Sequence, residues 1–135
     1  MANEAVRVEG PYLTRDFTIS GVTAVPQGTL MVLSDPRTAV ASSATDTAPV
    51  FAGIAGTAKV LNDTSTQLGL DKTGVHDLTA TPTGGITAGA MVVISGANLI
   101  RAAVAAELLT GAVVGKALED LGASEVGEVD VGASV

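Results

Sequence analysis

Short runs rich in Val, Ile and Thr alternate along the chain with clusters of Gly, Pro and small polar residues, roughly every ten to twenty positions. Val6 and Val8 alternate with Arg7 and Glu9, and Phe17 and Ile19 alternate with Asp16, Thr18 and Ser20. Successive strand side chains point to opposite faces, so each pattern predicts a half-buried strand, with a turn at Gly10-Pro11 between them. From Thr29 to Leu33 the run is unbroken and apolar, closed by Ser34-Asp35-Pro36. That predicts a strand covered on both faces.

Residues Arg37 to Pro49 are small and polar with no stripe, and read as a surface loop. Val50 to Val60 reads as a strand interrupted at Gly53 and Gly56, where glycine marks a bulge or a close backbone approach. Thr66 to Leu70 and Val75 to Ala80 flank Asp71-Lys-Thr-Gly74, which has the form of a hairpin turn. Ala90 to Ile94, Ala112 to Leu118 and Gly127 to Val131 supply three more strands. Only Ala102 to Leu109 is rich enough in Ala and Leu for a helix, and at under three turns it needs packing to persist.

The fold expected is therefore mainly β, a small β-barrel or sandwich with at most one short helix. Gly28-Thr-Leu-Met-Val-Leu-Ser34 is echoed by Gly89-Ala-Met-Val-Val-Ile-Ser95, 61 positions on. Val50-Phe-Ala-Gly-Ile-Ala55 is echoed by Ala112-Val-Val-Gly-Lys-Ala117, 62 positions on. Either two related β units occupy 28–55 and 89–117, or two Val/Gly/Ala-rich strands resemble each other by chance. Residues 1–20 read as an N-terminal arm or edge strands, and 21–135 as a single β domain.

Composition narrows the chemistry. The 135 residues suffice for one domain with a real core, and 47% hydrophobic against 16% charged excludes disorder. Tyr12, Phe17 and Phe51 are the aromatic residues, so Ala, Val, Leu and Ile must build the core. With no cysteine, disulfides, thiolate metal sites and thiol nucleophiles are excluded, and the single His76 excludes a multi-histidine site. A net charge of −7, with basic residues scattered from Arg7 to Lys116, argues against nucleic acid, whose phosphates need a basic face. The start, Met1-Ala-Asn-Glu-Ala, has neither a basic nor an apolar segment, so no secretory signal is expected. The uncharged stretch Leu78 to Ile100 is broken by Pro82, Gly84, Gly85, Gly89 and Gly96, and reads as strands and turns, not as a membrane span.

Candidate motifs are sparse. Gly111-Ala-Val-Val-Gly-Lys116 lacks one spacer of a phosphate loop and has Ala117 where Ser or Thr would hold magnesium. His76 and Asp77 are adjacent on a predicted strand and so face opposite ways, leaving His76 as a surface or hairpin residue. Glu119, Asp120, Glu125, Glu128 and Asp130 follow the last basic residue without a calcium-loop spacing, and read as a solvated acidic rim. Asn62-Asp-Thr64 matches a glycosylation sequon, which carries no weight without a secretory signal. No catalytic, cofactor or metal residue is assigned.

Five segments in order carry a resemblance: Glu4 to Glu9, Gly28 to Thr38, Phe51 to Ala55, Gly85-Ile-Thr-Ala-Gly-Ala-Met-Val-Val93 and Val114 to Glu119. Together they resemble the head decoration, or capsid cement, proteins of tailed bacteriophages and related viruses. The likeness spans nearly the whole chain, with one departure: Ala90 stands where members often carry an aspartate. It implies a compact β-barrel subunit without enzymatic activity or cofactor, added to the outer surface of a viral capsid, commonly as a homotrimer. The implied partners are the major capsid protein and other copies of the chain, with no nucleic acid or membrane. The implied location is the virion surface, after synthesis in the host cytoplasm.

In that setting the segment Ala2 to Arg15, with Val6, Arg7, Val8, Tyr12 and Arg15, reads as a contact to capsid or neighbouring subunit, or equally as an edge strand of its own barrel. A different class is a ligand- or carbohydrate-binding β domain of a surface or adhesin protein. The absence of Trp and the single Tyr count against a sugar platform.

Overall fold

The structure is a computed structural model and describes residues 2–133. In chain order its strands are β1 (Val6–Glu9), β2 (Thr14–Thr18), β3 (Leu30–Asp35), β4 (Thr38–Ala41), β5 (Phe51–Ala55), β6 (Gln67–Asp71), β7 (Gly74–Ala80), β8 (Met91–Ile94), β9 (Leu99–Ala102), β10 (Val113–Ala117) and β11 (Val126–Val131). The helical candidate survives only as a 3₁₀ turn, Ala105–Leu109, with no buried residue. Without an apolar face to pack, its propensity gains nothing from the core.

The fold is mainly β, and it closes twice. β2-β4-β3-β5-β6 form one barrel, and β7-β11-β10-β8-β9 close into a second through a β7–β9 pairing. Each barrel has one parallel seam: Thr18 pairs with Thr38, and Thr79 with Leu99, 61 positions on in both members. The hairpin pairs Met31↔Ala41, Val32↔Val40 and Leu33↔Ala39 return as Val92↔Ala102, Val93↔Arg101 and Ile94↔Ile100. The β3–β5 bulge between Met31 and Val32 faces Gly53, and Val92, at the corresponding place in the second barrel, faces Gly115. A Cβ at Gly53 would lie 2.8 Å from Leu70 Cβ, and one at Gly115 2.2 Å from Asp130 O, so both strand glycines mark close backbone approach. The chain is thus two related β units, each closing its own barrel.

Two sequence readings are corrected by this topology. The supposed surface loop contains strand β4, and β9 is likewise a strand; both are four residues long, too short to declare a period. Asp71 to Gly74 does not close a hairpin, since β6 pairs with β2 and β5 while β7 pairs with β1, β11 and β9. It carries the chain from the first barrel into the second. The segment resembling a phosphate loop is mostly strand β10.

The unbroken run in β3 has the predicted cause. Met31 lies in the first barrel's core with Phe17, Ile19, Val25, Leu68 and Leu70. Leu30 and Val32, on the opposite face, join Ile54 in a larger core with Leu78, Val92, Ile94, Ile100, Val114 and Val129 of the second barrel. One strand therefore belongs to both cores and fastens the barrels together.

Candidate functional site

Where the chain crosses between barrels, a buried carboxylate collects polar residues from three other strands. Asp71 ends β6 and is 1% exposed. Arg7 of β1 grips it with two hydrogen bonds, Nε to Oδ2 at 2.7 Å and Nη2 to Oδ1 at 2.6 Å. Thr14 Oγ1 of β2 donates to Oδ1 at 3.2 Å, and His76 Nε2 of β7 stands 3.2 Å from Oδ2. A carboxylate offers about four lone-pair sites, and these four contacts occupy them. Asp71 is therefore an anchor and not a free base.

The electrostatics agree. Burial pushes the Asp71 carboxyl up, but the bonds from Arg7 and His76, the Arg7 charge and the Thr14 bond together hold it below the usual carboxylate range. Arg7 is raised, chiefly by the same hydrogen bond. His76 is fully buried, which corrects the expectation of a surface histidine. Its other nitrogen, Nδ1, lies 3.2 Å from Gly74 O, so both ring nitrogens face acceptors. Asp77 takes no part; the partner is Asp71, brought in by the crossing.

Tyr12 roofs the cluster. Its ring meets His76 edge-on at 5.4 Å, and Arg7 Cζ lies 4.6 Å from its centroid. Gly74, with φ +108°, leaves room for that ring: a Cβ there would be 2.4 Å from Tyr12 Cδ1. The N-terminal segment is fixed further by Ala5 N donating to Gly28 O at 2.7 Å and Asn98 Nδ2 donating to Ala2 O at 2.9 Å. A cleft of about 510 Å³ opens beside the cluster, with Glu4, Arg7, Gln27, Gly28, Asp71 and His76 among its lining.

The five residues singled out in the sequence divide. Arg7 and Tyr12 come together on Asp71 and His76. Val6 and Val8 are 59% and 45% exposed and Arg7 39%, so β1 is exposed throughout and not the half-buried strand its alternation predicted; only the end of the Arg7 side chain reaches the buried carboxylate. Arg15 stands apart on exposed β2. β1 pairs with β7 (Val6↔Asp77, Arg7↔His76, Glu9↔Val75) and is an edge strand of the second sheet. Asp71, Thr14 and Asn98 were not singled out, because apart from His76, five residues from Asp71, the partners that define them are 56 to 96 residues away.

Several members of the acidic rim have local duties. Asp120 Oδ1 accepts from Ala88 N at 2.8 Å, Glu125 Oε1 from Gly122 N at 2.8 Å, and Glu119 Oε2 from Glu128 N at 3.2 Å. Among the described residues no three His, Asp or Glu side chains converge as a metal site would require. A scan of the chain against protein-family models finds no match, and a comparison with curated proteins finds none either.

Proposed function

We propose that this chain is a structural virion protein that binds the outer surface of a viral capsid and stabilises it, without catalysis, metal or cofactor. The observation that carries the reading is the ordered resemblance of five segments to head decoration proteins, which covers both barrels. The geometry supports it in one respect: the polar cluster at Asp71 is satisfied internally and ties the N-terminal strand down, so the outward apolar residues Val6 and Val8 are presented on a fixed edge. The partner is the major capsid protein, and the chain assembles on it as a homotrimer. A contact of ~1,200–2,000 Å² is ordinary for stable association, and lattice symmetry repeats it many times.

Pelleting with expanded, undecorated capsids tests the reading directly. Saturable co-sedimentation, with decorated particles surviving heat or osmotic shock better than bare ones in the presence of EDTA, is the expected result. Equal rupture of both particles would overturn it.

A further inference from the structure

The two barrels share a register but not a covering. In the second barrel the outer edge of β7 at Val75 and Asp77 is paired by β1. The corresponding edge in the first barrel, 61 positions earlier, is Thr14 and Asp16 of β2. Leu13 O accepts from Lys72 N and Ile19 N donates to Thr66 O, so odd-numbered residues of β2 turn their backbone groups toward β6. Even-numbered residues turn theirs the other way: Thr18 N donates to Arg37 O of the β4 side. β4 reaches β2 only at Thr18, so among the described residues no strand pairs with Thr14 or Asp16 on that edge; Asp16 O there accepts from Arg37 Nη2 at 2.6 Å, a side-chain bond that an incoming strand would replace. An unpaired edge is a template for one more strand.

Charge says which strand. The place of His76, buried beneath β1, is taken in the first barrel by exposed Arg15. Arg7 of β1 lies directly across from His76 on the outer edge of β7, whereas Arg15 has Leu70 of β6 across from it on one side and, among the described residues, no strand on the other. Two residues on, and on the same face, the Phe17 ring has Arg37 Cζ and Lys72 Nζ each 5.5 Å from its centroid. Arg15, Arg37 and Lys72 make no ion pair among the described residues, in a chain of net charge −7. Burial first, and the charge of Arg15 second, hold Lys72 below the usual lysine range.

We propose that the edge of β2 at Thr14–Asp16, which no strand covers, docks an extended strand of a different polypeptide, bearing an acidic residue across from Arg15. The incoming strand takes the place that β1 takes on β7, with one difference: there Arg7 lies across from His76 and finds its acid in Asp71 of β6, whereas here the acid comes on the incoming strand. The occupant is not a second copy: this chain's acidic strand β11 is paired on both edges, by β7 and β10, and β1 is held by β7. Opposite charges directly across a strand pair are favourable, and like charges are not. The inference stands on the two registers and does not depend on the capsid reading.

The probe is a capped peptide with the sequence of residues 4–9 but glutamate in place of Arg7, and its control keeps the arginine. Amide NMR on the full chain should show saturable shifts and slowed hydrogen exchange at Thr14 and Asp16 with the glutamate peptide. Arg15→Glu, at an exposed site, should weaken that binding by about tenfold and transfer the preference to the arginine peptide. No shift at Thr14–Asp16, or equal binding of both peptides, would overturn the proposal. Protection of those amides by self-association, seen as a concentration-dependent dimer without peptide, would overturn it in favour of a second copy.

Discussion

Lys59 and Leu121 stand at the same place in the two barrels, 62 positions apart: Lys59 bridges Val25, and Leu121 bridges Ile86. Both are buried. Leu121 joins the core, whereas the Lys59 stem runs out to Gly21 O and Val60 O, each 3.2 Å from Nζ, and to Asp63 at 2.9 Å. The second barrel therefore shows that an apolar residue satisfies this position. Lys59→Met should leave stability within about 1 kcal/mol, because a well-packed apolar side chain commonly replaces a buried ion at little cost. Asp63→Asn, which removes one partner and leaves the ammonium in place, should lower the melting temperature more than Lys59→Met does. Paired thermal scans of the two variants check the order.

The Arg7–Asp71 clasp should govern the N-terminal strand. Arg7→Ala leaves a buried carboxylate with two of its four bonds, and we expect a loss of about 2 kcal/mol, moderated by water reaching a site where Arg7 is 39% exposed. Hydrogen exchange at Val6 to Glu9 should rise to that of a free terminus while β3 and β8 stay protected. Asp71→Asn alone and the double variant complete a cycle, whose coupling energy should be clearly non-zero. Additive effects would show that the pair does not hold the strand.

Acid should loosen two places. Glu107 is drawn down to about 2, first by its hydrogen bond from Arg101 and then by that from Val104 N, and Asp71 also lies below its usual value. Both carboxyls are depressed in the folded state, so the stability they contribute is fully present above their ordinary values. It fades as pH falls from about 4.5 toward about 2. Glu107→Gln should flatten the dependence of melting temperature on pH across that window. An unchanged slope would remove Glu107 from the account.

Much of this architecture can be read from periodicity. Val6 to Glu9, Leu30 to Leu33 and Met91 to Ile94 declare strands because their neighbours are turn-forming clusters. The 61- and 62-residue echoes left two related units open against chance similarity, and the repeated register decides for the units. β4 and β9 escape because Thr-Ala-Val-Ala and Leu-Ile-Arg-Ala share no pattern, although the offset aligns them once the barrels are known. Closure is also invisible locally, since it depends on parallel seams of one and two residue pairs. Of the five N-terminal residues the sequence grouped, only Arg7 and Tyr12 meet at the buried cluster, and that grip was not legible. Alternation put Val6 and Val8 inside, but every residue of β1 is exposed, and Arg7 reaches from it to the buried acceptor Asp71, which is 64 residues away and so not visible locally.

Gly28 and Gly89 allow the docking of the N-terminal segment to be separated from backbone strain. Both have positive φ, +87° and +89°, where an alanine costs about 1–2 kcal/mol in either barrel. They differ in what a Cβ would meet. At Gly28 it would lie 2.1 Å from Ala5 O, and at Gly89 nothing lies within 4 Å. Gly89→Ala should therefore show the strain alone. Gly28→Ala should show the same strain and also displace Ala5, breaking its bond to Gly28 O and lifting β1 toward solvent. The difference between the two melting temperatures measures how strongly the segment is held. Exchange at Val6 to Glu9 should accelerate in Gly28→Ala and not in Gly89→Ala. Equal losses with β1 still protected in both would mean that β1 is retained without the Ala5–Gly28 contact, leaving Arg7 and Asp71 as its principal anchor.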